Sequence, residues 1–568
     1  MSSLRATLTP TAALGANHRD DARRVRRVAR PDDHRRRLAN ARHPRPASDR
    51  RRAGEGGRRL GRPLAPRASD ASDASDASGA SDADPPPPPP GSTPIVSPEF
   101  ACPRLSDAFD LPSLPSPFAE GGEKHGHGLG QKFVTDDDCV LLNALRYEAL
   151  ECVDATTGAF SDPEDAFACE IGSERWNGKW ATRAGPRAVI RHDPSAVKAA
   201  IVTCGGLCPG LNDVVRQLVL TLEEYGVEDI VGIRYGFRGF FETEGELRAP
   251  MRLTGDVVDT IHLEGGSILG SSRGGSETAD IVDAIAAMGL DFLFVIGGNG
   301  SHAGALAIDE LCRERGVACA VVGVPKTIDN DILLLDRTFG FQTAVDEAIN
   351  AIRSGAIEAR SAMNGVGLVR LMGRQSGFIA MHASLASGEV DVCLIPEIDT
   401  PLDGPGGVIA HVRRVLTKSK HCVIVVAEGA GQEILGKMGE TDASGNPVLQ
   451  NFAKFLKGEM LRELEDLKPD IKYIDPTYMV RARPTNSSDA IYCSILGQNA
   501  VHAAFAGLTG VTVGLCNGHY VYLPIPPLIS KAREVDPEGR MWERLRLAIN
   551  QPVYKLLPEK DPASEMAR

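Results

Sequence analysis

Three side chains in one short stretch, Thr327, Asp329 and Asp331 of the run Val321-Val-Gly-Val-Pro-Lys-Thr-Ile-Asp-Asn-Asp331, are of the types that move protons and hold cations. A hydroxyl and two carboxylates at this spacing could hydrogen-bond a sugar hydroxyl, accept its proton or hold a divalent cation, which are the needs of a kinase site. The residues ahead of them, 318–324, are an uninterrupted β-rich apolar run. Such a run predicts a parallel strand buried on both faces, so the polar residues fall at a carboxyl end of the sheet, where ligands of α/β folds bind. Asp-Asn-Asp is also good turn composition by itself. A glycine-rich loop one βα unit earlier favours a site over a plain turn.

The elements that would position these groups can be read on both sides of them. A short apolar strand at 199–203 runs into the turn Cys204-Gly-Gly-Leu-Cys-Pro-Gly210, and Asn212 is placed to cap a helix reaching Tyr225. Strand, glycine turn and helix N-terminus together make an anion cradle. The loop Ile268-Leu-Gly-Ser-Ser-Arg-Gly-Gly275 carries one cation, Arg273. Glycines on its following side admit a polyphosphate to which guanidinium is suited, although Arg273 is also acceptable as a surface charge. An all-apolar strand at 292–296 leads into Gly297-Gly-Asn-Gly-Ser301 and a helix over about 302–315, the second cradle. Loops of this kind also occur as tight turns in any α/β protein, so it is the ordered set that points to a site.

After Asp331 the alternation continues. A helix is expected over 341–359, a strand over 365–371, the loop Met372-Gly-Arg-Gln-Ser-Gly377 and a helix over 378–387. Strands at 391–395 and 422–426 follow, then a polar loop over 432–450, a helix over 452–467, a strand at 471–475, a helix over 488–505 and a strand at 511–516. Arg374 and Glu428 both fall at strand carboxyl ends. Arg374 could take a substrate phosphate and Glu428 could accept from sugar hydroxyls, and each also reads as a surface charge.

The chain has 568 residues and 42% apolar content, enough for large cores, and a net charge of −12. That charge is unevenly placed: the first 67 residues hold nineteen Arg, no Lys and six acidic residues, +13, leaving −25 on the remainder. The acidic body offers no nucleic-acid footprint, and no run of eighteen apolar residues suggests a membrane span. Twelve Cys without a paired zinc spacing suit a reducing compartment. Residues 1–95 read as unstructured, with Ala-Ser-Asp repeats and a run of six prolines from Pro85 to Pro90. Their Arg- and Ser-rich, acid-poor composition is that of an organelle transit peptide, chloroplast or mitochondrial, which is preferred over a plain disordered tail or a mispredicted start codon. Residues 96–195 read as an irregular lead-in packed on a catalytic domain at 196–530, and 531–568 as a helical, charged tail with no chemistry attached. His125 and His127 could bind a metal, but their flanking glycines suit a mobile loop better.

The ordered motifs Gly-Gly-Leu-Cys-Pro-Gly-Leu-Asn, Gly-Ser-Ser-Arg, Gly-Gly-Asn-Gly-Ser, Pro-Lys-Thr-Ile-Asp-Asn-Asp, Met-Gly-Arg and Ala-Glu-Gly-Ala-Gly resemble the phosphofructokinase family, most closely its plant-type ATP-dependent branch. The resemblance spans about residues 197–527. It implies an α/β fold of two doubly wound, Rossmann-like subdomains with the active site in the cleft between them. It implies MgATP along Gly205, Arg273, Gly274 and Gly298, Asn299, Gly300 and Ser301. Asp329 would be the base for the 1-hydroxyl of fructose 6-phosphate, with Thr327 and Ile328 lining the same pocket and Arg273 and Arg374 offsetting charge on the phosphoryl group in flight. Substrate would also meet Met372, Gly373, Glu428, Tyr478, Met479, Val480 and Arg481, the last as partner of the 6-phosphate. The resemblance further implies a homo-oligomer, dimer or tetramer, and an allosteric enzyme of glycolysis. A plastid address follows if the leader is a transit peptide, and the cytoplasm otherwise.

Two positions depart from bacterial members. Asn299 stands where they have a magnesium-binding Asp, as is frequent in the plant branch, leaving Asp331 and the nucleotide phosphates as sources of negative charge around Mg2+. Gly300 leaves room for a nucleotide, whereas pyrophosphate users have Asp there. Lys326, before Thr-Ile-Asp, is by contrast the residue of pyrophosphate users. The leading expectation is ATP as donor, with a pyrophosphate-dependent enzyme and a catalytically silent regulatory subunit as alternatives.

Overall fold

The computed structural model describes residues 96–119, 133–142, 179–241, 249–274, 277–436 and 448–554. The leader, the loop with His125 and His127, and Trp176 lie outside the described residues. The apolar runs become strands, in chain order β1 (Leu114–Pro115), β2 (Cys139–Leu141), β3 (Trp180–Arg183), β4 (Val189–Ile190), β5 (Lys198–Thr203), β6 (Asp229–Ile233), β7 (Met251–Arg252), β8 (Phe292–Gly297), β9 (Ala320–Pro325), β10 (Gly365–Leu371), β11 (Val392–Leu394), β12 (His421–Ala427), β13 (Asp470–Ile474), β14 (Val511–Cys516) and β15 (His519–Pro524).

Nine of them form one sheet in the order β2-β3-β15-β14-β9-β8-β5-β6-β7. Its middle, β14-β9-β8-β5-β6, is parallel, and β15, β3 and β2 extend one side antiparallel. Strands β8 and β9 are buried at every position, as expected for a parallel sheet covered on both faces. From β5 the chain first moves outward to β6 and then returns past β5 to β8 and β9. The order therefore reverses between β5 and β8, and a crevice opens above their carboxyl ends. Four further strands, β11-β12-β10-β13, make a second, wholly parallel sheet.

The largest apolar cluster joins the two sheets: Val322 and Val324 of β9, Val369 and Leu371 of β10, and Phe341, Phe378, Tyr492 and Phe505 from three helices between them. Each large side chain fully buried there contributes about 1.5–3 kcal/mol relative to exposure. A cleft walled by one shared core holds its opposing strand ends in fixed register. Residues 531–554 belong to this arrangement. Trp542 and Leu545 of the helix Arg540–Ile549 enter the same cluster, and Gln551 bonds both the N–H and the carbonyl of Cys393 in β11, at 2.7 and 3.0 Å.

Two helix starts differ from the sequence reading. The helix Leu211–Tyr225 is capped by Gly210, at φ +101°, and Asn212 lies inside it. A Cβ at Gly210 would stand 2.6 Å from Cys493 Sγ and 2.9 Å from Phe339, so the position is closed to side chains by conformation and by space. Asn212 instead ties down the loop ahead of Arg273, donating to the carbonyls of Ile261 and Glu264 and accepting from Ile268 N at 2.8 Å. The helix expected from residue 302 is Asn299–Glu314, so the glycine-rich loop is its first turn. Glycine's low helix propensity hides this in the sequence.

Candidate active site

Adjacent strand ends build one side of the crevice. Cys204 N bonds Ile296 O at 2.8 Å and Lys326 N bonds Gly297 O at 2.8 Å, which aligns the ends of β5, β8 and β9. Because Gly298 is the N-cap, the N–H groups of Asn299 and Gly300 are the donors the helix's first turn leaves open, while Ser301 N already bonds Gly298 O at 3.0 Å. Buried His302 pins that turn, bonding Gly298 O through Nδ1 (3.1 Å) and Thr512 Oγ1 through Nε2 (2.9 Å); burial lowers its pKa and keeps the ring neutral.

Three cations meet at Gly205-Gly206. The Lys326 ammonium donates to Gly206 O at 2.9 Å. A Cβ placed on Gly206 would lie 3.6 Å from Arg273 Nη2 and 3.7 Å from Arg481 Nη1. Gly205, at φ +85°, accepts Ser271 Oγ at 2.6 Å and donates to Ser272 O at 2.9 Å, binding the Arg273 loop to the first cradle. Lys326 is buried, which lowers its pKa, so its charge is held by what surrounds it.

Both carboxylates feel the charge of Lys326. Thr327 links them: its Oγ1 accepts from Asp329 N at 3.1 Å and its hydroxyl donates to the Asp331 carboxylate. Thr338 closes the loop behind, with Oγ1 to Thr327 O at 2.6 Å and N to Asn330 Oδ1 at 3.0 Å. From the second sheet, Ser376 Oγ donates to Asp329 O at 3.1 Å. Burial, then the charges of Asp331 and Glu428, push the Asp329 pKa up to about 8 against the pull of Lys326 and Arg374. Asp331 is raised as well, chiefly by burial. A carboxyl so displaced is a stronger base, once ionised, than an ordinary aspartate.

The second sheet presents its own strand ends. Arg370 of β10 reaches sideways to Glu428 after β12 (3.2 Å) and Asp475 after β13 (3.1 Å). Gly429 N bonds Gly373 O at 2.9 Å, which holds the Met-Gly-Arg loop against Glu428. Tyr478 is 78% exposed and Met479 60% exposed on the rim, and the Arg481 guanidinium lies 5.2 Å from the Tyr478 ring centroid. The side chains of Ile328 and Val480 turn into the apolar core, which leaves only their main chain to meet a ligand.

Among the described residues no three His, Cys, Asp or Glu side chains form a metal cluster. Magnesium does not need one, since it keeps several waters and binds through one or two carboxylates with substrate phosphates. The donor set fits: Asn299 Oδ1 and Asp329 Oδ1 are buried without a hydrogen-bond partner, and Asp331 lies two residues on from Asp329. Arg370, Ser376, Asn330, Thr338 and His302 are site-building residues that the sequence reading passed over. Each acts on a partner far along the chain or on main chain, and no local motif announces that.

Amide donors at a helix start, clustered cations and a raised carboxyl across one crevice define an α/β phosphoryl-transfer site. The chain belongs to the phosphofructokinase family, whose model, described as phosphofructokinase, matches residues 198–504. It is 52% identical over 425 residues to ATP-dependent 6-phosphofructokinase 5, chloroplastic, of Arabidopsis thaliana, covering 74% of this chain and 76% of that one. It is 48% identical over 472 residues to ATP-dependent 6-phosphofructokinase 1 of the same plant, covering 82% and 93%. The fold resembles the crystal structure of the pyrophosphate-dependent phosphofructokinase from Marinobacter aquaeolei, with TM-score 0.51, 19% identity and 63% and 92% of the two chains covered.

Proposed function

We propose that this protein is an ATP-dependent 6-phosphofructokinase, moving the γ-phosphoryl group of ATP to the 1-hydroxyl of D-fructose 6-phosphate. The observation that carries the reading is Asp329, a carboxyl with raised pKa within reach of the charges of Lys326, whose ammonium sits on Gly206, and of Arg374. The ATP phosphates rest on Gly205 and on the first-turn amides of Asn299 and Gly300, with Ser301, Arg273 and Gly274 beside them. Asp329, ionised, takes the hydroxyl proton as the new O–P bond forms and ADP departs. Arg273 and Arg374 offset the charge on the phosphoryl group in transit, the largest task in such a reaction. Asp331 and the Asn299 side-chain oxygen would hold Mg2+, which would supply further positive charge beside the phosphates. Thr327, the main chain of Ile328 and Val480, Met372, Gly373, Glu428, Tyr478 and Met479 surround the sugar, and Arg481 takes a substrate phosphate.

ATP is favoured as donor because a Cβ at Gly300 would meet nothing within 4 Å, so the space beside the helix start is open to a nucleotide. Both Arabidopsis relatives are named ATP-dependent. Pyrophosphate use is the second reading, supported by Lys326 with its ammonium on the phosphate loop. A coupled assay for fructose 1,6-bisphosphate with ATP or pyrophosphate separates them: turnover with pyrophosphate alone refutes ATP as donor, and binding without turnover identifies a silent regulatory subunit. The leader is read as a plastid transit peptide, supported by its composition and by the chloroplastic relative. A fusion of residues 1–95 to a fluorescent reporter should enter plastids, and a diffuse cytosolic signal refutes the address. A homo-oligomer is proposed on family grounds, with elution volume as its check.

A further inference from the structure

We propose that Arg533 is a positioning residue of the reaction, through which the C-terminal segment clamps the Asp329–Asp331 loop of the larger sheet to the helix that follows Arg374 on the smaller one. Arg533 N donates to Asp331 O at 2.8 Å. Its Nη1 donates to Leu335 O at 2.8 Å and Asp336 O at 3.2 Å, so one residue satisfies three carbonyls of the catalytic loop. The guanidinium then lies over Phe378, 4.9 Å from the ring centroid, and Phe378 is the first residue of the helix Phe378–Ser387. Two residues on, Val535 N donates to Glu397 Oε1 at 2.8 Å. The same oxygen accepts Gly377 N at 2.9 Å, at the N-cap of that helix. Beyond this point Val535, Trp542 and Leu545 are buried in the shared core.

The loop needs an outside hold. Asn330 and Leu334 sit at φ +58° and +70°, a region L residues occupy at a cost, and a non-glycine residue persists there only where its surroundings over-determine it. Arg533 supplies such surroundings through its bonds to Asp331, Leu335 and Asp336, in addition to those of Thr338. Its charge also lies in a partly buried setting with Asp336 and Phe378, where guanidinium hydrogen bonds to main chain gain in strength.

The inference rests on the phosphofructokinase reading, so the test carries a readout that does not depend on turnover. In the full-length chain, Arg533→Ala, Arg533→Lys and a control, Gln551→Ala, which loosens the same segment at β11, are compared by steady-state kinetics and by hydrogen exchange of peptides spanning 327–340. Arg533→Ala should lower kcat at least tenfold with both KM values within about threefold, and should speed exchange at residues 330–336. Arg533→Lys, which keeps one donor, should recover part of both effects. Gln551→Ala should lower the melting temperature without either change. Unaltered exchange at 330–336 in Arg533→Ala refutes the clamp whether or not the enzyme turns over. Altered exchange with wild-type kcat refutes the catalytic part alone. A kcat loss of equal size in Gln551→Ala assigns the effect to general stability and overturns the proposal. If Arg533→Ala does not fold, wild-type kcat and exchange in Arg533→Lys overturn it as well. Absence of turnover in the wild type, with either donor, refutes the phosphofructokinase reading and leaves the exchange result standing.

Discussion

Replacing Asp329 by Asn should cost the protein its chemistry and raise its stability, by an amount that grows with pH. In an unfolded chain the Asp329 carboxyl titrates near 3.8, and in the folded one near 8. Below about pH 4 it is protonated in both states and the substitution changes little. Between those values the unfolded carboxyl is ionised while the folded one keeps its proton, so folding takes up a proton and loses stability as pH rises, by at most about 1.4 kcal/mol per pH unit. Above the folded pKa the loss is complete. Asp331 titrates in the same space and shares the shift, so the loss at the alkaline end is on the order of a few kcal/mol at most. Asn is near the protonated shape and carries no charge to desolvate. Melting curves of the two ligand-free proteins from pH 5 to pH 8.5 should therefore diverge, with the Asn variant ahead at the alkaline end. Its turnover should fall by about 10²–10⁴, the usual worth of a general base, while fructose 6-phosphate still binds. A melting difference that stays constant or shrinks with rising pH refutes the burial argument, and near-normal turnover removes Asp329 from the base role.

Gly300→Asp should leave the melting temperature within about 2 °C, because the added side chain enters open space at a helix N-terminus that favours acidic groups, and should raise the KM for ATP at least tenfold by crowding and repelling its phosphates. Arg370→Ala frees Glu428 and Asp475 together; loss of charge-assisted bonds of about 1.5–3 kcal/mol should raise the KM for fructose 6-phosphate roughly 10- to 100-fold, and Arg370→Lys should restore part of it. Gly210→Ala should destabilise the chain by about 1–3 kcal/mol in denaturant titration, since φ of +101° and the contacts to Cys493 and Phe339 both oppose a side chain.

Much of the scaffold was legible before folding because its signals are local. The strands Gly365–Leu371 and Val511–Cys516 and the helix Phe378–Ser387 match the expected bounds, since an unbroken apolar run and a flanking glycine depend only on near neighbours. The antiparallel β15 falls outside the expected strands, although its residues 521–524 are all buried. The start of the helix at Asn299 was missed because glycine composition reads as loop even where the backbone is helical.

What the order of residues determined is which chemical groups arrive at the strand ends: the two carboxylates, the glycine turns, Arg273, Arg374 and Glu428. Only the tertiary structure decided their states and alliances. Asp329 is displaced in pKa while the ionic pairing of Glu428 is taken by Arg370, because desolvation and Coulomb energy depend on segments far apart in the chain. Arg481 comes to Gly206 from 275 positions away, and Arg533 reaches Asp331 from 202. No periodicity or turn signal carries such contacts, which exist only once two sheets share one core.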